Sequence, residues 1–400
     1  MRRGLSIACS VSILTVSLAL PAERHKVVAP PGTGMGLPFS PAVEANGFLY
    51  LSGALGNTPG TREVKGDIRV QTRQTLENLR TVLKAAGMGF SDVVSANVFL
   101  SDTRLFRPFN EVYREYFREN PPARATVEGA IVFPKAVVEI ALVAARPERG
   151  KTIVTPSGWT RPGSPSSWGV LAGDTLFVSG IISSDPVTGD SRSGDTAAQT
   201  RTVLENVGAI LREAGMDYGD VVSSKVFLAD SRDFAEMNRV YRSFFPKDPP
   251  ARATSQARLM HQDWKVEIQC VAVRGGSREV AAPAGEPLPA SPYSPGIRAG
   301  GRLYLAGMVG RGKTGWAEGI EAQTRQTLEN LRAVLTQAGL EFGHVVEANV
   351  YLSDIRYYGQ MNQVYKTVFP GSPPARATFG SVLMSPDALV EIMMTAHEAP

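Results

Sequence analysis

Three arginines and three glutamates in this chain share one spacing. Arg124, Arg252 and Arg376 each stand in a Pro-Pro-Ala-Arg-Ala-Thr stretch, at residues 121–126, 249–254 and 373–378. A glutamate follows fifteen residues later each time (139 minus 124, and likewise in the other two), at Glu139, Glu267 and Glu391. The prolines fix their own φ and push the preceding residue into extended geometry, so each arginine enters at the start of a strand. Its planar fork pairs bidentately with a carboxylate or a phosphate. One strand-end arginine is ordinarily a surface ion pair, since arginine is mostly exposed. Three of them at a fixed distance from a glutamate on an apolar strand read as a repeated anion-binding site.

The elements that must position these pairs repeat with them. Ser52-Gly53 recurs as Ser179-Gly180 and as Ala306-Gly307. Gln71-Thr72-Arg73 recurs as Gln199-Thr200-Arg201 and Gln323-Thr324-Arg325, with offsets of 128 and 124 that also relate the arginines and the glutamates. A period near 125 is far longer than a solenoid unit, so each copy is a domain with its own core. Within a copy, alternating apolar residues around Phe48 to Gly53 predict a hairpin with a loop rich in Gly, Pro and Thr. Leu76, Leu79, Leu83 and Ala86 predict an amphipathic helix with Asp67 as N-cap and Gly87 closing it. A strand over 93–100 follows, then a helix carrying Phe109, Val112, Tyr113 and Phe117, then two strands over 124–132 and 137–144. The order β-β-α-β-α-β-β predicts an α+β layer in which two helices cover one face of a mixed sheet. The other face needs a partner, and three such sheets can bury these faces against one another. We therefore expect an intramolecular pseudo-trimer. The Pro/Gly/Ser-rich stretches 146–163 and 274–292 read as linkers.

Residues 1–22 read as a secretory signal peptide: Arg2 and Arg3, an apolar run from Leu5 to Leu20, then small residues for cleavage. A periplasmic or secreted protein is expected, with no membrane association after cleavage. The net charge is +4, or about +2 (4 minus 2) once Arg2 and Arg3 leave. No Lys/Arg run forms a stripe, so nucleic acid is not an expected partner. Of two cysteines only Cys270 would remain, which excludes an internal disulfide. The histidines His25, His261, His344 and His397 do not recur at equivalent positions and show no metal-ligand spacing.

Together the Ser-Gly hairpin, the Gln-Thr-Arg helix, the second helix with its asparagine and the Pro-Ala-Arg-Ala-Thr strand with its Val-Glu-Ile partner resemble the RidA family of reactive-intermediate deaminases. The resemblance covers nearly all of the chain beyond residue 22 and divides it into domains at 30–147, 160–274 and 288–398. It implies chorismate-mutase-like α+β domains that form trimers, with sites in the clefts between neighbours, here joined in one chain that acts as a monomer. It also implies hydrolysis of enamine/imine intermediates to 2-keto acids and ammonia, with no metal or organic cofactor. An imino or keto acid would be held by Arg124, Arg252 or Arg376. Glu139, Glu267 or Glu391 would orient and activate water, best with a pKa raised by desolvation. Asn110, Asn238 and Asn362 match the family's pocket asparagine, or pack on the helix surface. Ser52 and Ser179 match its hairpin serine.

The copies depart from that pattern unequally. Only the third keeps the family's pocket tyrosine, as Tyr293; the first has Phe39 and the second Ser166. The hairpin serine becomes Ala306 in the third copy. Thr126, Thr254 and Thr378 stand where some members carry a cysteine. A cleft containing Tyr293 is the expected working site. Two other functions compete: a non-catalytic protein that binds small carboxylates, and a ribonuclease, which would need basic grooves and stacking aromatics.

Overall fold

The computed structural model describes residues 25–33 and 36–398. The expected signal peptide lies outside the described residues. In the first repeat the hairpin Ala42–Ala45/Phe48–Leu55 turns at Asn46-Gly47, both with positive φ (45° and 72°). Such a turn matches the twist of the flanking strands. The loop rich in Gly, Pro and Thr is therefore not the hairpin turn; it runs from the hairpin to the first helix. That helix, Ile68–Ala85, starts where the Asp67 carboxylate accepts from the backbone N–H groups of Arg69 and Val70. It ends at Gly87 with φ 71°, left-handed backbone that glycine adopts without strain. Strand Val93–Leu100, helix Phe106–Tyr116, strand Ala123–Glu128 and strand Val138–Ala145 complete the unit. The other two repeats follow the same order.

In each sheet the glutamate strand lies centrally. The first sheet runs Lys26–Val28, Ala42–Ala45, Phe48–Leu55, Val138–Ala145, Val93–Leu100, Ala123–Glu128. Its last pair is parallel and the others are antiparallel. The linkers are not simple connections. Each carries a strand, Thr152–Val154 or Glu279–Ala281, that joins the edge of the following sheet. Two further short strands cross between repeats: Ala130–Ile131 pairs with Phe379–Gly380, and Val382–Leu383 pairs with Ser255–Gln256.

The repeated helix motif is explained by its contacts. Gln71 donates to the carbonyls of Gly66 and Lys135 and accepts from Val137 N–H, tying the helix start to the loop before the glutamate strand. Gln199 makes the equivalent three bonds, and Gln323 makes the two to the loop before its glutamate strand. Asn78 donates to the carbonyls of Leu55 and Asn57 and holds the end of the hairpin. Leu76, Leu79 and Leu83 are buried between helices and sheet, as are Phe109, Val112 and Tyr113, each leucine contributing about 1.5–3 kcal/mol.

The opposite sheet faces meet. Phe99, Phe227, Tyr351, Ala125, Ala253, Ala377 and Phe379 form one cluster drawn from all three repeats. Phe99 and Phe379 stack with ring centroids 3.8 Å apart. The alanines flanking each arginine keep the strands small where neighbouring sheets approach. Cys270 is a buried free thiol, pushed up to about 12 by burial. No helix among the described residues is long and apolar enough to cross a membrane.

Candidate active-site clefts

Each arginine meets the glutamate of the next repeat, not its own. The Glu139 carboxylate accepts from Thr378 N–H (3.2 Å) and faces Arg376. Glu267 accepts from Thr126 N–H (3.4 Å) and faces Arg124. Glu391 is held by Thr254 N–H and faces Arg252. The ring of repeats is thus closed by three clefts, and the fifteen-residue spacing is a property of the repeat and not of any one site.

The Ser-Gly hairpin builds each cleft. The strand of Gly53 shifts register between Leu51 and Ala54 where it pairs with the Glu139 strand. A Cβ on Gly53 would overlap Glu139 Oε1; Gly180 and Gly307 stand in the same relation to Glu267 and Glu391. The bulge glycine therefore leaves the space that the carboxylate occupies. The Ser52 hydroxyl donates to Ser40 O (2.6 Å) and accepts from Arg376 N–H (2.8 Å). Ser179 does the same with Ser167 O and Arg124 N–H. These serines clamp the arginine strand of one repeat to the hairpin of the next. Ala306 lacks the hydroxyl, so the Arg252 strand loses this clamp.

Burial sets the electrostatics. Arg124, Arg252, Arg376 and the three glutamates are all at most 6% exposed. Desolvation raises Glu139, Glu267 and Glu391 to about 8, against a smaller lowering by the Thr N–H bond and the facing arginine. Desolvation also lowers Arg124, to about 10, and Arg252. Each arginine lies over the ring of the tyrosine on its second helix: Tyr113 at 4.8 Å, Tyr241 at 4.7 Å, Tyr365 at 4.7 Å. Such contacts hold a cation in a dry site.

Around this shared frame the three clefts differ. Asn238 and Asn362 each accept from their arginine's Nη2 at 2.7 Å. Asn110 does not; its Oδ1 is buried without a partner. Phe39 lies 5.4 Å from the Arg376 guanidinium. Ser166 holds the equivalent place before Ser167, and Tyr293 holds it in the Arg252 cleft. The Tyr293 hydroxyl, raised by burial, senses both Glu391 and Arg252. In the Arg376 cleft a second tyrosine, absent from the sequence reading, supplies a hydroxyl. Tyr358 begins the second helix and accepts from Arg376 Nη2 at 3.3 Å. Phe106 and Phe234 start the other two helices. That substitution is its only signal in the sequence. Thr126 Oγ1 and Thr254 Oγ1 are buried without partners.

The Arg376 cleft opens a cavity of about 150 Å³, lined by Phe39, Leu55, Phe133, Tyr358, Arg376 and Glu139 among others. Arg376 Nε and Nη1 and Glu139 Oε2 have no hydrogen-bond partner. A buried guanidinium with two free N–H groups calls for a planar anionic acceptor. Among the described residues no cluster of His, Cys, Asp and Glu could hold a metal ion.

The family model described as endoribonuclease L-PSP matches three times in tandem, at residues 34–146, 161–274 and 284–398. The chain belongs to the endoribonuclease L-PSP family. Among its L-PSP relatives, a RutC family protein of Sulfurisphaera tokodaii is 48% identical over 27% of this chain and 88% of its own. The human 2-iminobutanoate/2-iminopropanoate deaminase is 39% identical over 28% of this chain and 81% of its own. The chloroplastic Reactive Intermediate Deaminase A of Arabidopsis thaliana is 30% identical over 49% of this chain and 89% of its own. The crystal structure of E. coli TdcF with bound serine aligns with a TM-score of 0.29 and 36% identity, over 31% of this chain and 99% of that one. The RidA resemblance read from the motifs holds, and the L-PSP unit occurs here three times in one chain.

Proposed function

We propose that the protein hydrolyses reactive 2-imino acids to 2-keto acids and ammonia in its inter-repeat clefts, with the Arg376–Glu139 cleft as the principal site. The observation that carries this reading is the facing pair itself: a buried arginine with unpartnered N–H groups across a cavity from a glutamate held near pKa 8. Arg376 grips the substrate carboxylate as a two-pronged ion pair. Glu139, largely neutral at pH 7, gives its proton to the imine nitrogen. The resulting carboxylate then takes a proton from water as the water attacks the imine carbon. Glu139 then passes this proton to the carbinolamine nitrogen and takes the hydroxyl proton as the C–N bond breaks, so ammonia leaves, the keto acid remains and the carboxyl is restored. The Tyr358 hydroxyl accepts from Arg376 Nη2 and steadies the arginine, while Phe39, the other ring beside it, carries no hydroxyl. The deaminase names of the human and Arabidopsis relatives support this reading.

The runner-up, capture of a small carboxylate without turnover, is favoured in one cleft only, where Ser166 replaces the ring and Asn110 does not bond the Arg124 guanidinium, whose Nη1 has no partner. A ribonuclease would need a groove of several cations with stacking rings, whereas each cleft offers a single buried arginine. We further propose that the protein acts outside the cytoplasm after loss of residues 1–22, as a monomer that replaces a trimer.

The test is hydrolysis of freshly generated 2-imino acids, followed by competition with semicarbazide, for the wild type, Glu139→Gln and Glu391→Gln. Acceleration that falls in Glu139→Gln places the chemistry as proposed. A fall only in Glu391→Gln moves it to the Tyr293 cleft. No acceleration with any imino acid leaves the binding reading.

A further inference from the structure

Where the three inner sheet faces meet, a second cavity of about 50 Å³ is lined by all three repeats. One equivalent position from each repeat reaches it: Asn97, Lys225 and Asn349, related by the same offsets of 128 and 124. A trimer of identical chains would place three copies of any residue here. Three ammonium groups in one small cavity would repel strongly. A single fused chain can place one lysine between two asparagines, and this chain does.

Lys225 is poorly matched to a structural role. Its ammonium donates to Asn349 Oδ1 at a long 3.3 Å, one bond for a group with three donors. The carboxylate in the same cavity, Glu347, has Thr395 as its hydrogen-bond partner at 3.4 Å. Its counterparts are Ser95 and Ser223, which also line the cavity, so this carboxylate too occurs once. A third singular residue completes the set. Arg302 lines the same cavity and is 1% exposed; its Nη2 donates to Thr175 Oγ1 and pairs with Asp174 at 3.5 Å, while its Nε keeps no partner and is the donor left for a ligand. Its counterparts in the other repeats are Phe48 and Thr175. An amine, a carboxyl and an arginine with a free N–H, each present in one repeat only, thus converge on a cavity with room for about four water-sized atoms.

We propose that Lys225 forms a reversible Schiff base with a small 2-oxo acid of about five heavy atoms, its carboxylate held by Arg302 and its proton transfers handled by Glu347. The amine lone pair attacks the carbonyl carbon, and Glu347 carries one proton from the nitrogen to the carbonyl oxygen to give a carbinolamine. The second nitrogen proton goes to the hydroxyl by the same route, the hydroxyl leaves as water, and the nitrogen lone pair forms the C=N bond. The sum is amine plus ketone or aldehyde to imine plus water, with no redox partner. Burial lowers the Lys225 pKa, opposed by Glu347, which favours the nucleophilic amine over the ammonium. This site is independent of the clefts and of their proposed reaction.

The test uses the full chain with equimolar glyoxylate and cyanoborohydride at pH 7, read by intact mass and peptide mapping. The expected result is one carboxymethyl group per chain on Lys225, roughly tenfold above any exposed lysine, since exposed amines stay protonated. Lys225→Asn, which copies its two neighbours and so should fold, removes the adduct and leaves imine hydrolysis in the clefts unchanged. Glu347→Gln slows adduct formation. Labelling spread over exposed lysines to the same extent in the wild type and in Lys225→Asn overturns the proposal.

Discussion

The Arg124–Glu267 and Arg376–Glu139 clefts are built by one motif and differ in what surrounds it. Both have the clamping serine, the bulge glycine, the threonine N–H on the carboxylate and a glutamate raised to about 8. In the first, Arg124 is packed among Phe106, Phe109 and Tyr113, and Asn110 holds nothing. Phe109 replaces the Met237 and Met361 of the other helices, and its ring lies 5.5 Å from the guanidinium. In the second, Arg376 is fixed by Asn362 and Tyr358. The repeat motif fixes the backbone and the charges; the few side chains that hold the arginine decide which cleft is ready for a ligand.

Removing the carboxyl should separate the clefts most. Glu139→Gln is expected to cut imine hydrolysis by about 10²–10⁴-fold, while Glu267→Gln leaves most activity; equal losses would erase the distinction. Loosening the arginine comes next. Asn362→Ala removes a charged hydrogen bond and should raise KM by roughly 10-fold or more, whereas Asn110→Ala should leave steady-state kinetics unchanged. The hydroxyl exchange is finer. Tyr358→Phe should weaken turnover by about 10-fold, the worth of one hydrogen bond to a charge, and adding Phe39→Tyr should recover part of it. No recovery would show that the two ring positions are not interchangeable.

A separate test concerns stability. The three glutamates have folded pKa values near 8, above the usual carboxylate value. Between about pH 4.5 and 8 the folded state therefore holds protons that the unfolded chain has lost. Stability from these groups is complete at low pH and declines as pH rises through 8. A triple Glu→Gln chain at 139, 267 and 391 should show a flatter Tm profile over pH 6–9 and melt above the wild type at pH 9.

Much of this was legible in the sequence because the repeat exposes what recurs. The helix with its Asp67 cap and Gly87 stop, the arginine strand and the glutamate strand all lie where their patterns placed them. What the repeat hides is which copies meet. Spacing within one unit carries no information on ring order, so Arg376 facing Glu139 comes from packing between repeats. The resemblance to RidA proteins had placed sites between neighbours, not within a unit. Tyr358 was missed because an aromatic residue at a helix start reads as core. The role of Gly53 was missed because a bulge depends on the strand beside it. The strands Thr152–Val154 and Glu279–Ala281 were missed because three residues beside Pro and Gly give too short a pattern to read.

The crossing strands bear on how the molecule comes apart. Ala130–Ile131 of the first repeat completes the sheet of the third, and Val382–Leu383 of the third completes that of the second. Separating any repeat breaks backbone pairing in another and opens the shared Phe99–Phe379 cluster to water. The chain should therefore melt in one cooperative step, its calorimetric and van't Hoff enthalpies agreeing for the whole chain and not for a third of it.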